Sequence, residues 1–125
     1  MSSFTKHLIV EVLDKGIIYK ISEEFIYYRT DNENDVIKVP KGFETNFASI
    51  PRLFWNIYPP TGGGTKGTKY GKASVLHDYL YDTKKYSRKE CDKIFLEAMK
   101  AMKVNFFTRY LFYYCVRLFG SKNYK

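Results

Sequence analysis

The sequence predicts an α+β fold, with an N-terminal antiparallel sheet of four to five strands packed against three to four C-terminal helices. Two observations lead to this prediction. Up to about residue 45, short runs rich in β-branched and aromatic residues alternate with turn residues. From about residue 72, apolar residues recur instead at the spacing of helices. The 125 residues are enough for one hydrophobic core, so we expect a single domain spanning residues 1–125.

The predicted strands are separated by short turns. Asp14-Lys15-Gly16 divides the first two strands and contains a glycine suited to the positive φ of a hairpin. A polar stretch over residues 30–35 divides the last two. The predicted strands are Lys6–Leu13, Ile17–Ile21, Phe25–Arg29 and Val36–Val39, with Phe43–Thr45 as a candidate fifth. Connections of turn length predict an antiparallel meander.

The chain changes character after the last predicted strand. Ser49 is a good N-cap and Pro51 suits a first helical turn, which predicts a short helix over about Ile50–Ile57. The following segment, Thr61–Gly71, holds five of the eight glycines. It does not satisfy the phosphate-loop pattern GxxxxGK followed by Ser or Thr. We therefore expect a mobile surface loop here, with a phosphate cradle as the alternative.

Three longer helices are predicted in the C-terminal half. The first covers about Lys72–Asp82, and a capping box at Ser87–Glu90 starts the second. The second has an apolar stripe that predicts a core face, formed by Cys91, Ile94, Phe95, Ala98, Met99 and Met102. The last, about Asn105–Gly120, is apolar around nearly its whole circumference, so it is either the central helix or carries an interface. Arg109 and Arg117 interrupt it, and we expect carboxylate partners for them.

Composition narrows the classes of partner. The net charge of +8 favours anionic partners, but nucleic-acid binding beyond the non-specific is not expected, because no recognition motif accompanies the charge. Cys91 and Cys115 are expected to be reduced thiols, and the N-terminus has no pattern of a secretory signal. No run reaches the roughly 18 apolar residues of a membrane span. These features indicate a cytosolic protein.

The candidate chemistry centres on His77. His77 and Asp78 are adjacent on one predicted helix, and Asp92 comes back on the next. A nucleophile, base and orienter could be Ser49 or Ser74, His77, and Asp78 or Asp92. A His-Asp metal site needs a further upstream histidine, and the other histidine lies on a predicted strand, so no metal site is predicted. The alternative is that His77 holds two helices together.

Three motifs in order resemble the signature of domain-of-unknown-function family 1353, which is associated with tailed phages and prophages. The motifs are the runs GFETNFASIPR over residues 42–52 and ASVLHDYLY over residues 73–81, followed by Arg88, Asp92 and Phe95. The resemblance implies that one set of residues acts together: Thr45, Ser49, Pro51, Arg52, His77, Asp78, Arg88 and Asp92. The seven of these other than Pro51, together with Asn46, are the eight predicted site residues. Asn46 departs from the family pattern, which usually has Asp there, so binding is expected to survive better than catalysis.

The leading functional hypothesis is a phage-type accessory protein with a polar pocket that binds, and in an active form hydrolyses, a small anionic or peptide-like ligand. His77 would be general base or ligand, Asp78 or Asp92 its orienter, and Arg52 the anion clamp. The alternatives are a non-catalytic virion or assembly component that contacts a phage or host protein through its aromatic last helix, and an inhibitor of a host defence system. The resemblance implies the host cytoplasm as the location, with the virion as the alternative. No cofactor is assigned.

Overall fold

The computed structural model describes residues 3–4, 10–13, 18–29, 36–45 and 70–120. The chain divides into two compact units, Met1–Asn46 and Phe47–Lys125. Within the described ranges the first unit holds the strands and the second holds three helices, so the α+β prediction is confirmed. The prediction of a single domain stays a prediction.

Six strands lie in the described part of the first unit. They are β1 (Ser3–Phe4), β2 (Val10–Leu13), β3 (Ile18–Ile21), β4 (Phe25–Tyr28), β5 (Val36–Val39) and β6 (Glu44–Thr45). They form two three-stranded antiparallel sheets, in the orders β1-β4-β5 and β2-β3-β6. Each of the five predicted strands therefore contains an observed one, but the strands divide between two sheets.

The chain reversal at Gly42 explains why β3 pairs with β6 instead of with its neighbour β4. Gly42 has a φ of 92°, which glycine adopts without the steric cost of a Cβ atom. Its backbone N–H donates to the carbonyl of Ile21 at 2.8 Å, and the N–H of Ile21 donates to the carbonyl of Phe43 at 2.9 Å. These two bonds bring the segment after β5 alongside the end of β3.

The helical unit consists of α1 (Gly71–Thr83), α2 (Arg88–Ala101) and α3 (Phe106–Phe119). α2 begins at the predicted capping residue, because the Ser87 hydroxyl accepts from the N–H of Glu90 at 3.2 Å. Asn105 caps α3 in the same way, accepting from the N–H of Thr108 at 2.9 Å. The predicted helix over residues 50–57 and the glycine-rich residues 61–69 lie outside the described residues.

The core of this unit is formed where α2 contacts both α1 and α3. The predicted stripe of α2 is buried from Cys91 to Met99, and Met102 at its end is half-buried. α3 buries one face, which consists of Thr108, Phe112 and Val116. Among the three described helices, α2 is therefore the central one. None of the three helices in the described part of the chain is both long and apolar enough to cross a bilayer.

Candidate functional site

Asp92 on α2 is the centre of a polar cluster that joins all three helices. Its Oδ1 atom accepts hydrogen bonds from His77 Nε2 at 2.6 Å and from Tyr81 Oη at 2.5 Å. Its Oδ2 atom accepts one from Arg117 Nη1 at 2.8 Å, and Arg88 Nη1 lies 3.7 Å away. These five residues are called the Asp92 cluster below. The carboxylate at its centre is completely buried.

The spacing of residues along α1 and α2 explains how the cluster forms. His77 and Tyr81 are four residues apart on α1, so their side chains lie one above the other and both reach Asp92. Arg88 and Asp92 are four residues apart on α2 for the same reason. The His77 ring also packs against Phe95, with ring centroids 4.6 Å apart. An aromatic neighbour and a carboxylate together fix the orientation of the imidazole.

Electrostatics keep the central carboxylate ionised. Burial by itself would raise the pKa of Asp92, but hydrogen bonds from His77, Tyr81 and Arg117 hold that pKa below its ordinary value. Burial, together with the neighbouring carboxylate, raises the pKa of Tyr81, so its hydroxyl stays a donor. The charges of Arg88, Arg117 and Asp92 sum to +1.

Arg88 also closes the C-terminal end of α3. Its Nη1 donates to the carbonyl of Val116 at 2.9 Å, and its Nη2 donates to the carbonyl of Arg117 at 3.3 Å. A cation at a helix C-terminus satisfies carbonyls that lack partners within the helix and interacts favourably with the helix dipole. Gly120 follows directly, and a Cβ atom there would lie 2.8 Å from Tyr81 Oη. The chain can pass this close to the cluster because residue 120 is glycine.

The structure brings together three of the eight residues singled out by the sequence: His77, Arg88 and Asp92. His77 Nε2 donates to Asp92, and Asp78 lies half-buried on α1. Thr45 is buried in the first unit. The remaining residues, Asn46, Ser49 and Arg52, lie outside the described residues. Whether any of the eight binds a ligand stays a prediction.

Two members of the cluster were not among the predicted site residues. Tyr81 could have been found from its position four residues after His77. Arg117 was expected to have a carboxylate partner, and this expectation is confirmed by its bond to Asp92. Arg109 instead donates to the carbonyl of Val104 at 3.5 Å and lies over the ring of Phe106.

Ser74, the other nucleophile considered, lies one turn before His77 on the same helix. Its hydroxyl is completely buried and has no hydrogen-bond partner among the described residues, so it does not bond to His77. Among the described residues, no three His, Cys, Asp or Glu side chains come together as metal ligands. Cys91 and Cys115 are free thiols, and burial raises the pKa of Cys91 to about 12. A thiol with such a pKa is a poor nucleophile.

The side of α3 that does not contact the core exposes large apolar side chains. Four of them have between 57% and 72% of their surface exposed: Phe106, Phe107, Tyr114 and Leu118. Phe119, also exposed, lies at the end of the helix on the same side as Phe112. The first four residues are called the outer face of α3 below. The apolar circumference seen in the sequence is thus divided between a narrow buried face and a wider exposed one.

Comparisons with known proteins give a family but no activity. A family model described as "Protein of unknown function (DUF1353)" matches residues 19–116. The "Uncharacterized protein y4jT" of Sinorhizobium fredii (strain NBRC 101917 / NGR234) is 33% identical over 108 residues, which cover 86% of this chain and 30% of that relative. The chain therefore spans under a third of the length of this relative. No solved structure matches the chain.

Proposed function

The chain belongs to the DUF1353 family, whose description names no activity, and we propose that it is a phage-type accessory protein that acts as an assembly component. In this proposal the outer face of α3 binds a protein partner. The Asp92 cluster holds the three helices in the arrangement that presents this face. The resemblance to proteins of tailed phages supports the phage context, and the particle or its assembly intermediates would be the location.

The observation that carries the proposal is the exposure of four large apolar side chains on one side of a short helix. Single exposed apolar residues are ordinary, but contiguous exposed patches mark sites of interaction. Aromatic residues are enriched at the centres of protein interfaces, and two of these four are Phe and one is Tyr. A protein partner would remove this surface from water.

The Asp92 cluster fits a supporting role because its polar groups satisfy one another. Both carboxylate oxygens accept hydrogen bonds, and His77 is only 1% exposed. A buried network with all its members bonded makes the surrounding packing rigid and specific. In the same way, Arg88 connects α2 to the last carbonyls of α3. The cluster therefore fixes the helix whose outer face is used.

Purified phage particles give the test of this proposal. We expect the wild-type protein to be present in particles or assembly intermediates, and the variant Phe107→Ser with Leu118→Ser to be absent from them. Because both side chains are exposed, the variant should keep its helical circular dichroism. A matched control, Lys93→Ser with Lys100→Ser, changes two exposed residues of α2 and should be retained. Absence of the wild-type protein, or retention of the apolar-face variant, contradicts the proposal.

One observation favours a second candidate, a site for a small anionic ligand. The guanidinium-bearing side chains of Arg88 and Arg117 are 25% and 29% exposed, and the cluster carries an excess positive charge. The buried Ser74 hydroxyl, which has no partner in the part of the chain that the structure describes, lies one turn from His77. In this candidate His77 is the general base or a ligand-binding group, and Asp92 orients it. If the site is catalytic, its reaction is the hydrolysis of a peptide-like ligand.

Inorganic phosphate is a suitable probe for the second candidate. Binding at the exposed arginines would raise the melting temperature of the wild-type protein, and Arg117→Gln would abolish that rise. The control Arg109→Gln removes an arginine of the same helix that lies outside the cluster, and it should preserve the rise. A rise that is the same in all three proteins indicates general salt stabilisation and removes this candidate.

A further inference from the structure

Lysines form a row along the exposed side of α2. Lys89, Lys93 and Lys100 are all exposed. At about 100° per residue they fall within about 40° of one another around the helix axis, and they extend over about 16 Å along it. These three residues are called the lysine row below. Three more exposed lysines flank the helix, in the turns before and after it: Lys84, Lys85 and Lys103.

The ammonium groups of the row are not neutralised by carboxylates of the chain. Among the described residues, the ion pairs are those of the Asp92 cluster, and none includes a lysine of the row. The two glutamates of α2, Glu90 and Glu97, are half-buried and lie about 60° or more to one side of the middle of the row. The row therefore presents three positive charges to solvent, and a partner with closely spaced negative charges would complement them.

The residue types on this side of α2 suit phosphates rather than bases. Lysine is a point charge that binds a phosphate without a fixed geometry, whereas the bidentate contacts that distinguish bases come mainly from arginine, asparagine and glutamine. Arg88, the arginine of α2, is engaged with the carbonyls at the end of α3. α2 also places no aromatic ring beside the row, so an unpaired base would have no side chain of this helix to stack on. Such a surface matches the backbone of a duplex.

The length of the row also matches a duplex. Phosphates follow one another about every 3.4 Å of axis along each strand, so a row of about 16 Å can follow about five base pairs. We propose that the lysine row of α2 binds the phosphate backbone of a double-stranded nucleic acid without sequence preference. This surface goes beyond the proposed function, because none of its residues belongs to the outer face of α3.

An anionic membrane fits the row less well. A helix that lies in a bilayer surface needs an exposed apolar side next to its cations. The apolar stripe of α2 is buried from Cys91 to Met99, and the apolar side chain nearest the row, Leu96, is half-buried. The duplex is therefore the better match to the charges and to the shape of this side of the helix.

Fluorescence anisotropy with a short labelled DNA duplex at about 50 mM NaCl tests the proposal on the full chain. One variant removes the row: Lys89→Gln, Lys93→Gln and Lys100→Gln. A charge-matched control removes three exposed lysines of the first unit: Lys20→Gln, Lys38→Gln and Lys41→Gln. Each variant lowers the net charge of +8 by three, so overall charge affects both equally.

We expect the row variant to bind the duplex about tenfold or more weakly than the wild type. Its slope of log affinity against log salt should also become shallower by about three, one for each lost phosphate contact. The charge-matched control should stay within about threefold of the wild type. Arginine at the same three positions of the row should keep the binding, because it restores the charges.

The opposite results are equally definite. Equal losses in the two glutamine variants would mean that net charge rather than the row is responsible, and no binding by the wild type would overturn the proposal outright. Tighter binding to a single strand of the same length would contradict a duplex partner. Row-dependent binding to vesicles with anionic lipids, without row-dependent binding to the duplex, would make a membrane the partner instead. Circular dichroism checks that every variant keeps its helices, since glutamine and lysine have similar helix propensities.

Discussion

Asp92 combines complete burial with a negative charge, and its neighbours determine whether this is tolerated. Three hydrogen bonds and an ion pair with Arg88 replace the water that an exposed carboxylate would have. A buried ion pair is not always stabilising compared with apolar residues, but removing one partner leaves the others desolvated and unpaired. The cluster should therefore be sensitive to the loss of its central charge.

We predict that Asp92→Asn lowers the free energy of unfolding by about 3–5 kcal/mol, the usual cost of breaking a buried ion pair. The substitution keeps the shape of the side chain but leaves two guanidinium groups without their carboxylate. Urea denaturation followed by circular dichroism measures the change. The control Asp82→Asn alters an exposed residue of α1 and should stay within about 0.5 kcal/mol of the wild type. Equal stability of both variants would show that the cluster does not hold the helices.

Because its pKa is lowered, Asp92 should make the folded protein less stable as the pH falls. Because the pKa of Asp92 is lower in the folded protein than its ordinary value of about 3.9, the unfolded chain binds the proton more readily. The stabilising contribution is therefore complete at neutral pH. It begins to be lost as the pH falls towards about 4, and the loss continues down through the folded pKa.

Urea denaturation in steps from about pH 6 to pH 2 measures this dependence, and Asp92→Asn is the reference without the titrating group. We expect the difference in stability between the two proteins to shrink as the pH falls. A difference that stays constant over the whole range would mean that the carboxylate is not the group responsible.

The close packing of Gly120 against Tyr81 predicts that a larger residue at position 120 lowers the stability of the protein. Gly120→Ala would place its Cβ atom 2.8 Å from Tyr81 Oη, so the tyrosine or the chain must shift, at a cost of about 1–3 kcal/mol. The Tyr81→Phe background removes the hydroxyl that is contacted. A double-mutant cycle should therefore show that Gly120→Ala costs much less in Tyr81→Phe than in the wild type. Equal costs in the two backgrounds would contradict the contact.

At the scale of the elements, α3 shows where sequence periodicity stops being informative. α2 has a polar side and an apolar stripe, so its buried face could be predicted, and Ser87 marked its first turn. α3 is apolar nearly all round, so periodicity left open whether it was central or at an interface. Its buried face was settled only by packing against α2. The same limit applies to the site. The capping box and the helical spacing placed Arg88 and Asp92 on one helix, four residues apart. The bond of Arg117 to Asp92 could not be predicted, because it depends on how α2 and α3 pack together.

Two phenylalanines test whether α3 has one buried and one exposed face. Phe112→Ala removes a completely buried ring and should lower the free energy of unfolding by about 3–5 kcal/mol. Phe107→Ala removes a ring that is 71% exposed and should change the stability of the monomer by less than about 0.5 kcal/mol. Thermal denaturation at low protein concentration measures both. Similar losses for the two variants would mean that the outer face of α3 is covered within the same chain.

At the scale of the whole molecule, the prediction of class succeeded and the prediction of topology did not. Turn residues located the strands, but which strand pairs with which depends on long-range contacts. The reversal at Gly42 joins β6 to β3, and no local pattern distinguishes that pairing from a meander. Composition, by contrast, follows from the sequence alone and does not depend on which residues come into contact. The net charge of +8 is a property of the whole chain, and it has its own consequence.

We predict that this charge gives weak binding to nucleic acid without sequence preference. Lysine and arginine displace counterions from phosphates, so the affinity should fall steeply with salt and be lost by about 0.2 M NaCl. Fluorescence anisotropy with two duplexes of unrelated sequence measures both features. Leu118→Val, a change on the outer face of α3 that leaves the charge unaltered, is the control and should bind equally. Binding that persists at high salt, or that differs between the duplexes, would require base contacts and contradict a purely electrostatic origin.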